Sequence, residues 1–294
     1  MSADRVVITA ALTGGVHDKR ANANLPEQPE EIVEQALACR EAGAAIVHCH
    51  ARTPDGGRTC DPDIFREIHA GISSRSDLIV QLTTGGGLGL STKERMGAIW
   101  IEPEMASLNM GLLNFIFDGE EHFFSNMRSE IEEFATEMKE RGIRPECEVY
   151  NIAMLEEVEH LIGRDLLDPP YVINLVLHTP SQGSLRGTPE NLVEMTRRVR
   201  ERLGIGPDAA QLNVTSCGST QLPISTMAMA MGLNVRVGME DNVFFRRGEL
   251  VESNRQLVER TVRIARELDR EPATPDEARE MLGLARAAPA RAAD

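Results

Sequence analysis

Strand-like and helix-like segments alternate along the whole of this 294-residue chain, and that alternation restricts the fold more than any other feature. Runs with strand character recur at RVVITAAL (5–12), AAIVHCH (44–50), DLIVQLTTGGG (77–87), MASLNMG (105–111), RPECEVY (144–150), YVINLVL (171–177), AAQLNVTS (209–216) and NVRVGME (234–240). Between them lie helical stretches at 28–43, from near Asp61, at 129–142, over NIAMLEEVEHLIGRD (151–165), and around 189–203 and 220–231. Eight strand–helix units over about 250 residues are the pattern of a (β/α)8 TIM barrel. A doubly wound open sheet would serve the same alternation, but no G-x-G-x-x-G follows the first strand. A helix from about Leu250 to Leu268 and a shorter one at 273–282 form a C-terminal helical extension. No linker, repeat or low-complexity segment divides the chain, so residues 1–294 read as one domain. The tail LARAAPARAAD is expected to fray or to dock on a neighbour.

A net charge of −15 excludes non-specific nucleic-acid binding, which needs a basic face. It leaves room for a local basic pocket that takes a phosphorylated ligand. The five cysteines are scattered, odd in number and without C-x-x-C, so neither a zinc ribbon nor a disulfide framework is indicated. The start MSADRVVITAAL enters a strand without the basic and apolar regions of a signal peptide. No apolar run approaches the roughly 20 residues that span a bilayer. A cytoplasmic protein that does not engage membranes is expected.

Polar residues fall late in the strands: Thr13, His48, His50, Thr83, Thr84, Ser107, Asn109, Glu146, Glu148, His178, Thr215, Arg236, Glu240 and Asp241. Any one of them could be a satisfied core hydrogen bond. Together they collect where barrel active sites lie, at the C-terminal ends of the strands. His48 and His50 stand at i and i+2 on one strand, so both rings face one spot. A lone buried histidine is more often structural, but two so placed suit a Zn²⁺ ion. Glu240, at the end of the last strand, would supply an oxygen ligand, because first and last strands are neighbours in a closed barrel. Cys49 between the histidines points the other way, to the helical shell. Asp241 and Asn242 could simply cap a turn with Arg236 as partner. Alternatively Asp241 is a base beside a Lewis acid, held in place by Arg236 and by Glu148 of the fifth strand. Gly85–Gly87 either cradle a pyrophosphate with backbone N–H groups or make a tight turn.

The segments ITAALTGG, NLPEQPEEI, EAGAAIVHCHART, VQLTTGGG, EMASLNMG, PECEVY, VRVGMEDN and ESNRQLVER, spread over nearly the whole chain, resemble the β-keto acid cleavage enzymes. The resemblance implies a zinc-dependent barrel that converts a β-keto acid and acetyl-CoA to acetoacetate and a new acyl-CoA. It implies zinc on His48, His50 and Glu240, Asp241 as the base, and Arg236 and Glu148 in support. Thr83 and Ser107 fall where the family has hydroxyl residues near the substrate. A homo-oligomer, with a tetramer favoured, is implied as well. The chain departs from the family in two places. In LTGGVHD, Val16 stands where members that process aminated keto acids carry Glu, which points to a substrate tail that is not cationic. In TSCGSTQLP, Ser219 stands where relatives often have Arg. Two rival readings remain: an amidohydrolase-like zinc hydrolase, and a catalytically inactive barrel that binds ligand.

Overall fold

Parallel strands cannot be joined by tight turns, so each needs a crossover, and the helices supply it. The computed structural model describes residues 4–87, 89–117, 120–203 and 209–284. Eight strands form one closed barrel. Numbering only the barrel strands, they are β1 (Ile8–Ala11), β2 (Ile46–Cys49), β3 (Ile79–Leu82), β4 (Met105–Asn109), β5 (Arg144–Val149), β6 (Tyr171–Leu177), β7 (Ala210–Ser216) and β8 (Asn234–Val237). β8 returns to pair in parallel with β1, Arg236 opposite Thr9 and Val237 opposite Ala10. That closing pair distinguishes the barrel from an open doubly wound sheet.

The helices follow their sequence signals. α1 (Pro29–Ala42) opens on a Gln28/Glu31 capping box and stops at Gly43, whose φ of 112° is open to glycine at little cost. α2 (Pro62–Ser73) is capped by Asp61, which accepts from the Asp63 N–H at 2.8 Å. Between β3 and β4 there is only α3 (Thr92–Arg95) and a 3-10 stretch, Met96–Ile101. α4 (Arg128–Glu140), α5 (Leu155–Gly163), α6 (Pro189–Leu203) and α7 (Gln221–Ala230) complete the shell between later strands. The segment expected as one helix from 151 opens as a 3-10 turn over Ile152–Met154 before α5. α8 (Asn254–Glu267) begins four residues later than Leu250, because Glu249–Leu250 instead pairs with Phe244–Arg246 in a hairpin. A second unanticipated hairpin, Leu113–Phe117 with Glu120–Phe124, joins Ser181–Gln182 in a small sheet. The tail from residue 285 onward lies outside the described residues.

Alternation along the strands sorts the interior. The outward set, including Ile8, Val47, Cys49, Leu82 and Val235, packs in the large core cluster with helix residues such as Ile32, Phe65 and Leu257. Cys49 is therefore turned away from the histidines. The inward set begins with an apolar layer of Val7, Ile46, Ile79, Met105 and Val172. Ala278 and Leu282 of α9 (Pro275–Leu282) close that end of the barrel. Higher in the barrel the inward residues become polar: Thr9, Gln81, Ser107, Glu146, Asn174 and Asn213 are all buried. Glu146 accepts from Asn213 Nδ2 at 3.0 Å and Asn174 Nδ2 at 3.4 Å, and burial pushes its carboxyl pKa up. Within this layer Thr9 Oγ1 and Gln81 Nε2 are buried without a hydrogen-bond partner, which costs free energy.

Candidate active site

One cavity of ≈ 130 Å³ opens at the C-terminal ends of the strands. Its walls include His48, His50, Thr83, Glu148, Arg236, Glu240, Asp241 and Val16, which are eight of the nine residues given a metal, catalytic or substrate role from the sequence. Ser107, the ninth, is fully buried and is not part of the cavity wall. Its Oγ accepts the Thr84 N–H at 3.2 Å, while its carbonyl accepts the Thr84 hydroxyl at 2.7 Å. It therefore braces the turn after β3 from below instead of facing the cavity.

His48 and His50 reach the cavity because the inward positions of β2 continue past Cys49. Glu240 arrives differently from the expectation, since β8 ends at Val237 and the chain turns at Gly238. A Cβ on Gly238 would lie 1.9 Å from the Ala11 carbonyl oxygen, so only glycine allows this turn to pack on β1. Gly14 serves the same end on the facing loop, where a Cβ would sit 2.2 Å from Glu240 Cγ. Glu240 thus enters through a gap between two glycines. Its carboxylate stands 3.6 Å from His48 Nε2 and 3.4 Å from His50 Nε2.

The three ligand atoms lie within 4.8 Å of one another, so this set could hold a metal ion. Two features of the donors fit that use. Glu240 Oε2, 3.6 Å from His48 Nε2, is buried without a hydrogen-bond partner. Such an orphaned atom is costly unless something else engages it. His48 Nδ1 meets Gln81 Oε1 at 2.7 Å, which directs the ring's other nitrogen towards Glu240. Burial pushes the His48 pKa down to about 3, so the ring is neutral at pH 7, as a ligand must be.

Arg236 ties the carboxylates together. Its Nε donates to Asp241 Oδ2 at 3.0 Å, Nη2 to Asp241 Oδ1 at 3.0 Å and to Glu240 Oε1, and Nη1 to Glu148 Oε1 at 3.3 Å. One guanidinium faces three carboxylates, of which Glu148 and Asp241 are buried and Glu240 is 14% exposed, so negative charge is in excess here. That imbalance shows in the protons. Burial, opposed by Arg236, pushes Asp241 up to about 6 and Glu148 up to about 8. Glu240 lies below the usual carboxylate range because Arg236 and the two histidines outweigh its burial. A bound cation would relieve the same excess.

Several contributors escaped the sequence reading. Tyr150, inward like Glu148 two residues earlier, donates to Asn109 Oδ1 at 2.8 Å and contacts Glu148 Oε2 at 3.3 Å. Phe115 and Phe124 reach the cavity from the unanticipated hairpin. Arg52 holds the loop carrying Val16, donating to the Gly14 carbonyl and to the His17 carbonyl at 2.8 Å. Gln81 and Tyr150 were open to discovery by counting inward positions; Arg52 and the hairpin carried no comparable signal. The Gly85–Gly87 segment makes a self-contained turn. Thr83 Oγ1 accepts the Gly85 N–H at 2.9 Å and the Gly86 N–H at 3.4 Å, and Gly87 N–H bonds the Gly85 carbonyl at 2.6 Å.

A barrel whose mouth gathers a metal-capable His–His–Glu set and an arginine-held carboxylate pair defines a class of enzyme that works on carbonyl compounds. The chain belongs to the β-keto acid cleavage enzyme family, whose sequence model matches residues 5–284. It is 36% identical over 284 residues to the 3-keto-5-aminohexanoate cleavage enzyme of Acetoanaerobium sticklandii, covering 96% of this chain and all (100%) of that one. It is also 36% identical over 306 residues to the 3,5-dioxohexanoate:acetyl-CoA acetone transferase of Paraburkholderia graminis, covering 97% of each. The fold is similar to the apo structure of ObcA, with a TM-score of 0.75 and 19% identity, over 89% of this chain and 66% of that one. Family membership separates the chain from the amidohydrolase-like reading. So does the architecture, since the histidine pair stands at the end of β2, His50 just past its last residue, and β5 carries no histidine.

Proposed function

We propose that this enzyme converts a β-keto acid and acetyl-CoA to acetoacetate and a new acyl-CoA, with Zn²⁺ held by His48, His50 and Glu240. The observation that carries this reading is the single Arg236 guanidinium bonded to both Asp241 and Glu240 at the mouth of the cavity. It sets a carboxylate base beside a metal-capable set. A divalent ion held there supplies Lewis-acid polarisation of a carbonyl oxygen.

The chain's own residues account for the proton and for substrate placement. Asp241 takes the proton from the carbon between the ketone and the carboxylate of the keto acid. Arg236 grips Asp241 through two donors and keeps the carboxylate oriented. Glu148, with Tyr150 against it, completes the wall on the opposite side of the guanidinium. The carbanion attacks the acetyl thioester carbon and expels CoA thiolate. The thiolate then adds to the former ketone carbon, and the bond between the two original keto-acid carbons breaks. One product is the acyl thioester; the other, after protonation, is acetoacetate. Thr83 borders the space where the substrate sits, and Ser107 acts at one remove by bracing Thr84.

The substrate tail is not cationic in this reading. Val16, Phe115, Phe124, Val176 and Pro180 give the cavity apolar walls. Its three carboxylates are all engaged by Arg236. A panel of β-keto acids with acetyl-CoA tests the proposal, and preference for an amino-substituted acid would sink the assignment of the tail. We also read residues 1–294 as one domain of a cytoplasmic homo-oligomer, with light scattering and cell fractionation as the checks. Bound ligand without turnover would favour the inactive-barrel reading.

A further inference from the structure

A CoA thioester carries its reacting carbonyl at one end and its phosphates at the other, so a barrel-mouth site accounts for only half of the molecule. Building on the acetyl-CoA reading above, we infer that the phosphates of the CoA nucleotide dock on an arginine cluster made by Arg246 and Arg247 of the hairpin after β8 and Arg260 of α8.

The first support is continuity of space. The cavity at the metal-capable set shares His17, Thr179, Pro180, Cys217 and Asp241 with a neighbouring groove of ≈ 520 Å³. That groove meets a third, of ≈ 640 Å³, at Ser219. All three arginines line the third groove, together with Phe244 and Phe245. An extended thioester has a path from the reacting centre to the cluster.

The second support is charge. The chain carries a net −15, and its surface arginines are mostly paired: Arg197 with Glu194 and Glu201, Arg255 with Glu41 and Glu259. Among the described residues, Arg246, Arg247, Arg260 and Arg263 form no ion pair. Glu249 stands opposite Arg246 in the hairpin register but makes no ion pair with it. Arg260 is half-buried, and burial together with Arg246 and Arg263 lowers its pKa without any carboxylate to offset them. Concentrated, unneutralised arginine on an acidic protein is a site for a multiply charged anion.

The third support is preorganisation. Arg260 Nη1 donates to the Phe245 carbonyl at 2.5 Å, and the guanidinium lies 4.4 Å from the Phe245 ring centre. Its remaining N–H groups are held in place for a bidentate phosphate contact. Phe244, 47% exposed at the same groove, offers a face on which an adenine can stack. The competing phosphate cradle at Gly85–Gly87 is closed, because those N–H groups are bonded within their own turn.

The test compares metal-loaded wild type with the Arg246→Ala/Arg247→Ala double variant, whose changes lie on an exposed hairpin, and with Arg66→Ala/Arg128→Ala, which removes the same charge elsewhere on the surface. Calorimetry measures binding of CoA, adenosine 3′,5′-bisphosphate and pantetheine. Wild type is expected to bind CoA at least tenfold more tightly than pantetheine, and the double variant to bring that ratio close to one. The control should keep the wild-type ratio. A double variant that keeps the ratio overturns the inference. So does one that changes oligomeric mass with nucleotide binding intact, which would assign the cluster to a subunit contact. Acetoacetate formation is scored separately. Turnover with no dependence on these arginines removes the subsite but leaves the proposed reaction, whereas arginine-dependent CoA binding without turnover does the reverse.

Discussion

Arg236 and its three carboxylates divide two tasks that a single acidic cluster would confuse. Glu240, kept below the usual carboxylate range, is anionic throughout the neutral range and suits a ligand. Asp241, raised to about 6 by burial against the pull of Arg236, suits a proton acceptor working near neutrality. Glu240→Gln is expected to lose metal on dialysis, read by elemental analysis. Asp241→Asn should retain metal and lose turnover by roughly 10²–10⁴-fold, the usual worth of a general base. Full activity in Asp241→Asn would remove that residue from the role of base. The pH dependence follows with a definite sign. Only the ionised carboxylate accepts a proton, so kcat/KM should fall as pH drops through the Asp241 pKa and level off above it. A cation on neighbouring Glu240 moves that limb towards lower pH. A rate that rises on acidification would contradict the assignment.

The elements show which parts of this architecture are written locally. Strand–helix alternation placed all eight barrel strands, because apolar runs and caps such as Asp61 and Gly43 act within a few residues. The strand ends were less legible. β8 stops at Val237 because Gly238 packs on the Ala11 carbonyl, a contact between opposite ends of the chain. The hairpin bearing Phe115 and Phe124 carries acidic residues at Glu120 and Glu121 and is only partly buried, so it lacks the apolar run that marks the barrel strands. For the site, inward alternation found His48, His50 and Glu148 and would also have found Gln81 and Tyr150. Arg52 was hidden because its partners are backbone carbonyls with no sequence signature. Two substitutions test the elements. Gly14→Ala should displace Glu240 and cut metal retention, while leaving the far end of the barrel intact. Leu282→Ala in α9 should cost about 2–5 kcal/mol in denaturant unfolding, since it opens a cavity against the apolar layer.

For the whole molecule, one closed barrel sets the apolar seal at one end and the reacting groups at the other. Four of the five thiols belong to the shell, while Cys217 borders the cavity. Cys39, Cys49, Cys60 and Cys147 are buried, and burial pushes Cys60 and Cys147 up to about 12. These four should resist alkylation at pH 8 in the folded enzyme and react on unfolding. The metal-capable set, Asp241 and the apolar pocket all converge on the opposite mouth, so a single assay engages them together. The most direct measurement incubates metal-loaded enzyme with acetyl-CoA and a panel of β-keto acids and quantifies both products. The account predicts acetoacetate and the matching acyl-CoA in equal amounts, abolished in Asp241→Asn and in chelator-stripped protein. Consumption of a keto acid without acetyl-CoA, or acetoacetate formed undiminished by the Asp241 variant, would contradict it.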